Sequence, residues 1–144
     1  MYIFLDVDGV LNKKSDWKTP YCLNMENIDN FKTFLKTLKN PKIVLTSSWR
    51  KGFVRQYNYC TVQIQNLLDK LAPYEIYGRT KELEEGRLAE IKDYLDNHEK
   101  DSYLILDDDI TEYPNKNVNG LLIVDNLSGF SKKDIKSVKK YIVK

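Results

Sequence analysis

The sequence predicts an α/β fold: a mostly parallel five-stranded sheet with helices on both faces. Two observations carry this. Short apolar, β-prone runs alternate with segments whose apolar residues recur at three- and four-residue steps. The runs are also apolar at successive positions rather than at every second one, which is the pattern of strands covered on both faces.

The elements follow in order. Residues 2–5 (YIFL) read as a strand. Ile28, Phe31, Phe34, Leu35 and Leu38 then mark an amphipathic helix. Asn40-Pro41 closes it, because the residue before a proline is pushed out of the helical region. Residues 42–46 (KIVLT) give a second strand. Val62, Ile64, Leu67, Leu68 and Leu71 give a second helix, ended by Ala72-Pro73. Residues 74–77 (YEIY), closed by Gly78, are a weaker third strand. Leu88, Ile91, Tyr94 and Leu95 form the stripe of a third helix. Residues 103–106 (YLIL) and 121–124 (LLIV) complete the strands. A last helix opens on the capping-box pair Ser131 and Asp134 and turns Ile135, Val138 and Ile142 inward.

Length and composition narrow the class. The chain has 144 residues, a length that fits one domain over 1–144 with one core. A hydrophobic fraction of 42% is ordinary for a soluble protein, and a net charge of +2 is too small to argue for nucleic acid by bulk electrostatics. Cys22 and Cys60 fit neither a CxxC pair nor a disulfide framework, so two reduced thiols are expected. One His with two Cys makes a zinc site a poor fit. No run is apolar enough for a membrane span, and Asp6 interrupts the N-terminal run where a signal peptide would need it intact. A cytoplasmic protein with no membrane partner is the expectation. The oligomeric state is left open.

Chemistry gathers at one edge of the expected sheet. In open α/β sheets ligands bind beyond the carboxyl ends of the strands. The first strand runs into Asp6, the second into Thr46-Ser47-Ser48, and the fourth into Asp107-Asp108-Asp109. Asp6-Val7-Asp8-Gly9 alone is a weak signal, since Asp and Gly also build turns. It is not an EF-hand, which has a third acidic position before its glycine and a helix in place of the strand. Five acids at one edge call for a cation, and a small carboxylate set suits Mg²⁺, with phosphate as a further ligand. Asp6 is then a candidate nucleophile and Asp8 a candidate acid/base. Thr46 is a candidate donor to the phosphoryl group. Arg87 and Lys81 are candidates to neutralise its charge.

At this point the sequence resembles the haloacid dehalogenase (HAD) superfamily of phosphotransferases. The matching residues are DVDGVL at 6–11, the apolar run ending in Thr46, the basic residue before the fourth strand, and LILDD at 104–108. More narrowly, TSSWR at 46–50, GRLAEIKDYL at 86–95 and NLSGFS at 126–131 are similar to small HAD domains associated with RNA-repair proteins. The resemblance implies a Rossmann-like fold and an aspartyl-phosphate intermediate. It makes Asp6 both nucleophile and Mg²⁺ ligand, and Asp8 the acid/base with its main-chain carbonyl on the metal. Thr46, with Ser47 as neighbouring candidate, falls in the second motif. Arg87 stands where the family more often has lysine. Asp108 is the expected metal ligand, with Asp107 supporting it and Asp109 in a solvated turn. The connections after the first and second strands have room for a loop and one helix each, so no cap domain is expected.

An open site suits a bulky phosphorylated substrate such as a nucleic-acid end or a nucleotide. A small-metabolite or phosphoprotein phosphatase, or a module that binds a phosphorylated end without turnover, are the alternatives. Trp49 and Arg50 are candidates to stack on a base and hold a flanking phosphate. The alternative is that Trp49 packs under the loop and Arg50 pairs with a nearby acid.

Overall fold

The structure is a computed structural model that describes residues 1–113 and 117–144. Five strands, β1 (Tyr2–Leu5), β2 (Lys42–Leu45), β3 (Ile76–Arg79), β4 (Tyr103–Asp107) and β5 (Leu121–Ile123), form one sheet. Their order is β3-β2-β1-β4-β5, and every pairing is parallel. The predicted α/β fold is the observed one. The helices are α1 (Met25–Lys36), α2 (Val62–Leu71), α3 (Arg87–Asp96) and α4 (Lys132–Ser137).

Alternation along β1 sends side chains to opposite faces of the sheet. Ile3 and Leu5 join Ile43, Leu45, Leu104 and Leu106 under α1 and α2, which contribute Ile28, Phe31, Phe34, Leu35, Ile64, Leu67 and Leu71. Tyr2 and Phe4 face the other way, with Val44 and Ile105, against Ile91 and Tyr94 of α3. The chain therefore moves outward through β2 and β3 under one pair of helices. It then crosses back on the opposite face, through α3, to β4. The order reverses between β1 and β4, and a doubly wound sheet opens its crevice at that point.

Local chemistry sets the boundaries. Asn24 caps α1 by accepting from the amides of Glu26 and Asn27, so the helix starts three residues before its first core residue, Ile28. It ends at Lys36, and Asn40, at φ 51°, turns the chain into Pro41 and β2. Thr61 caps α2 through the Ile64 amide. The third strand departs from expectation: it runs from Ile76 to Arg79 and takes Gly78 inside. A Cβ at Gly78 would lie 2.9 Å from the Tyr94 hydroxyl, so the glycine makes room for α3 rather than ending the strand. The last helix is also shorter than its pattern suggests. The Ser131–Asp134 capping box starts α4, but the chain tightens to a 3-10 turn at Val138–Tyr141. Val143 then bridges to Tyr103, so Ile142 packs on the core from an extended segment.

Between β1 and α1 the chain makes a loop with one 3-10 turn (Lys14–Lys18), and between β2 and α2 it makes two (Ser48–Gly52 and Tyr57–Tyr59). No further helix or strand is inserted at either place. Among the described residues, loops and 3-10 turns border the sheet's carboxyl edge.

Candidate active site

The reversal point delivers its acids together. Asp6 leaves β1 with its amide bonded to the Leu106 carbonyl, Asp107 ends β4, and Asp108 follows it. Asp6, Asp107 and Asp108 each offer a carboxylate oxygen within 4.8 Å of the others. Gly9, at φ 85°, folds the first loop back over them, and a Cβ there would collide with the Asp108 carboxylate. Only glycine meets both demands.

Burial and crowding set the electrostatics. Asp6 is nearly buried, and its pKa lies well above the usual carboxylate range. Desolvation is the main cause, followed by repulsion from Asp107, and a hydrogen bond shared with Asp108 adds to it. Burial likewise raises the pKa of Asp107, despite the Arg87 charge beside it. Arg87, the first residue of α3, donates from Nη1 to Asp107 Oδ2 at 2.7 Å and lies 3.7 Å from Asp6 Oδ1. Burial works against its charge, but Asp107 and Asp6 more than offset this and push its pKa above the usual value.

The acids are held to different degrees. Asp107 is wholly buried; Oδ2 also accepts from the Tyr113 hydroxyl at 2.8 Å and Oδ1 from the Asp109 amide at 3.0 Å. Asp108 is half-buried and accepts from Asn126 Nδ2 at 3.2 Å. Asp8 receives Asn12 Nδ2 at 2.9 Å and Trp49 Nε1 at 3.3 Å, one on each oxygen. Beside them Thr46 Oγ1 is buried without a hydrogen-bond partner, a polar atom that a bound acceptor would satisfy. Ser47 is buried too, and its oxygen caps the following 3-10 turn at the Trp49 amide. A cleft of about 630 Å³ opens over Asp6, Asp8, Ser47, Arg87 and Asp108.

The donor set fits a hard cation. It is all oxygen, its crowding and burial raise the pKa of Asp6, and Asp6 and Asp108 have fewer competing donors than Asp107. A divalent ion such as Mg²⁺ would relieve the repulsion that burial builds up.

Sequence comparison decides the family. The family model described as the HAD domain in Swiss Army Knife RNA repair proteins matches residues 2–135. The chain belongs to this family. No protein of curated function and no solved structure matches it. At the family level this HAD domain is phosphatase-like and associated with RNA repair.

Of the residues singled out in the sequence, Asp6, Asp8, Ser47, Arg87 and Asp108 line the HAD cleft, with Thr46 buried beside Ser47 and Asp107 behind Arg87. Arg87 rather than Lys81 meets the acids, since Lys81 is exposed and outside the cleft lining. Two expectations need correcting. Arg50 is not available to substrate: it is buried, forks onto Glu90 at 3.0 and 3.1 Å, and also donates to the Thr46 carbonyl and Thr80 Oγ1. Trp49 is buried as well, and its indole N–H is committed to Asp8, so it positions the acid and offers no free face for stacking.

The sequence reading missed Asn12, Tyr113, Asn126 and Glu90. Asn12 is the most informative. It is buried, four positions beyond Asp8, and receives the Gly9 amide while holding Asp8. An Asn directly after the apolar pair Val10-Leu11 was the available signal, because a buried amide needs fixed partners.

Proposed function

We propose that this HAD domain is a magnesium-dependent phosphomonoester hydrolase that works through an aspartyl-phosphate on Asp6. The observation that carries the reading is the convergence of Asp6, Asp8, Arg87 and Asp108 on one cleft beside the unpartnered Thr46 hydroxyl. In this reading Asp6, Asp108 and the main-chain carbonyl of Asp8 hold Mg²⁺, and Asp107 supports them by fixing Arg87. When bound, Mg²⁺ supplies positive charge that offsets the carboxylates and the phosphoryl oxygens.

Arg87 and Thr46 orient the phosphoryl group by hydrogen bonds, which strengthen as charge builds on its oxygens. An oxygen of ionised Asp6 attacks phosphorus while the ester P–O bond breaks. Protonated Asp8 gives its proton to the departing alcohol oxygen. Asp8, now a carboxylate, takes a proton from water as that water attacks the aspartyl-phosphate. Inorganic phosphate leaves, and Asp6 and Asp8 return to their starting states. Asn12 and Trp49 hold the Asp8 carboxyl throughout, so proton transfer occurs from a fixed position.

The substrate reading is a phosphorylated nucleic-acid end or nucleotide. The family's association with RNA repair and the cleft, which among the described residues is bordered by loops and 3-10 turns, support it. Two free cysteines, Cys22 and Cys60, fit the reducing cytoplasm.

The test is turnover of an aryl phosphate with and without Mg²⁺, on wild type and Asp6→Asn, with acid-quench trapping of a phosphorylated protein. Metal-dependent release of phosphate that Asp6→Asn abolishes is expected. Binding of phosphate esters with no turnover on any of them would instead make the domain a phosphate-end binding module.

A further inference from the structure

Two aromatic side chains at the cleft mouth have no part in the chemistry above. Trp17 is 40% and Tyr21 52% exposed, whereas Asp6 at the floor of the same cleft is 5% exposed. Aromatic surface of that size left in water at the rim of a polar cleft is a feature to be explained.

Both rings are held in place. Trp17 Nε1 donates to Asn12 Oδ1 at 2.8 Å. Asn12 donates in turn to Asp8 Oδ1 at 2.9 Å and to the Cys22 carbonyl at 2.8 Å, which ties the loop to the acid. Tyr21 sits at φ 58°, a left-handed conformation unfavourable for a bulky residue. Its ring meets Trp49 edge-on with centroids 5.0 Å apart, and Trp49 Nε1 reaches Asp8 Oδ2 at 3.3 Å. Each rim aromatic is thus one side chain removed from Asp8, by a separate route. Asp8 protonates the departing alcohol, so the two rings flank the path of the leaving group.

We propose that Trp17 and Tyr21 form a stacking site for the base of the nucleotide whose phosphate is removed. The inference rests on the phosphatase reading and deepens it. The rings lie at the mouth and the nucleophile at the floor, so a planar ligand must be separated from phosphorus by a spacer. A nucleotide has one, its sugar. A phosphotyrosine does not, because its ring is joined to phosphorus through a single oxygen. The same loop carries Lys13, Lys14 and Lys18 against one acid, Asp16, while Asp109 and Glu112 line the cleft elsewhere. A polyanion is steered towards the aromatic loop and away from those acids.

The test compares two short single-stranded oligonucleotides that differ only in whether the phosphorylated terminal sugar carries a base or is abasic. Each is prepared with the phosphate at one end and at the other. Affinity is measured by fluorescence anisotropy on Asp6→Asn with Mg²⁺, and turnover on wild type. Stacking on one base predicts about tenfold tighter binding of the base-bearing strand, and Tyr21→Ala or Trp17→Ala brings the ratio to within about twofold. Trp17→Phe, which keeps a ring, retains more of the ratio than Trp17→Ala. Equal affinity for the two strands overturns the proposal, as does tighter binding of a phosphotyrosine peptide. Failure of every ester to turn over would remove the phosphatase reading, while the affinity ratio would still decide the stacking site.

Discussion

Two arginines stand at this site, Arg50 buried and Arg87 half-buried, and they are built differently. Arg50 is closed to the cleft: Glu90 takes it at two oxygens, the Thr46 carbonyl and Thr80 hydroxyl take more of its donors, and its Nε is buried without a partner. Glu90 also accepts the Leu83 amide, which ties the loop before α3 to the turn after β2. Arg87 is left open. It makes one short bond to Asp107, stays 3.7 Å from Asp6, and lines the cleft. A closed ion pair braces backbone, whereas one with unused donors facing a cleft offers them to a ligand. The charge is the same in both, but the Arg87 side chain is 18% exposed against 9% for Arg50, so unused donors and access to the cleft together separate binding from bracing.

The largest effect falls on the acid that Arg87 shares. Asp6→Asn removes the nucleophile and should lower kcat by roughly 10⁴-fold or more. It also relieves repulsion from Asp107 and Asp108. The metal-free variant should therefore melt a few degrees higher than wild type, about 1 kcal/mol. Steady-state kinetics with calorimetry in chelator would check both. A lower melting temperature would mean that the acids stabilise the fold, contrary to the crowding argument.

Crossing the two arginines comes next. Arg87→Ala should lower kcat by about 10²–10³-fold, because its hydrogen bonds strengthen with transition-state charge. Arg50→Ala leaves Glu90 buried without its partner and should cost about 3–5 kcal/mol of stability. Its folded fraction, measured well below the melting temperature, should keep kcat within about threefold of wild type. If Arg50→Ala stayed stable and lost activity instead, the contrast between a closed and an open pair would collapse.

This contrast explains which parts of the molecule could be read from the sequence. The strands and helices were legible because periodicity records burial, and burial is what Ile3, Leu5, Phe31 or Leu67 encode. Asp6, Asp8, Thr46 and Asp108 were legible because they terminate strands at the edge where such sheets bind ligands. Arg50 was misread because an arginine after a site motif looks the same in sequence whether its partner is a phosphate or Glu90, forty residues away. Gly78 was misread for a similar reason: the Tyr94 hydroxyl that demands the glycine arrives from α3. Asn12 and Tyr113 went unseen because a polar residue's role depends on partners that only the fold assembles.

The two acids next to Arg87 also predict a pH dependence. Asp6 and Asp107 both bind their protons more tightly in the folded chain than an ordinary carboxylate does. Groups shifted upward favour the folded state at low pH, and that contribution is lost as pH rises through their folded pKa values. The metal-free protein should therefore gain melting temperature on mild acidification from neutral pH. Asp101 is shifted downward by the N-terminal amine, so its stabilisation fades only at still lower pH, below its ordinary range. Asp6→Asn should flatten the gain, and saturating Mg²⁺ should reverse it, since protons then compete with the ion. A flat chelator profile in wild type would refute the burial argument for Asp6.

The smallest effect sharpens the distinction most. Tyr113→Phe keeps the ring in its buried position and removes only the hydroxyl that donates to Asp107 Oδ2. Loss of one hydrogen bond to a buried carboxylate should cost about 1.5–3 kcal/mol of stability. The functional consequence runs through Arg87: with Tyr113 gone, Asp107 has a free lone pair and draws the guanidinium more closely to itself. The arginine then sits partly closed, as Arg50 does, and should reach the phosphoryl group less well. A kcat lowered several-fold with KM little changed is the expected signature. A rise in KM alone would place Arg87 in ground-state binding, and an unchanged kcat would show that Asp107 holds Arg87 without help from Tyr113.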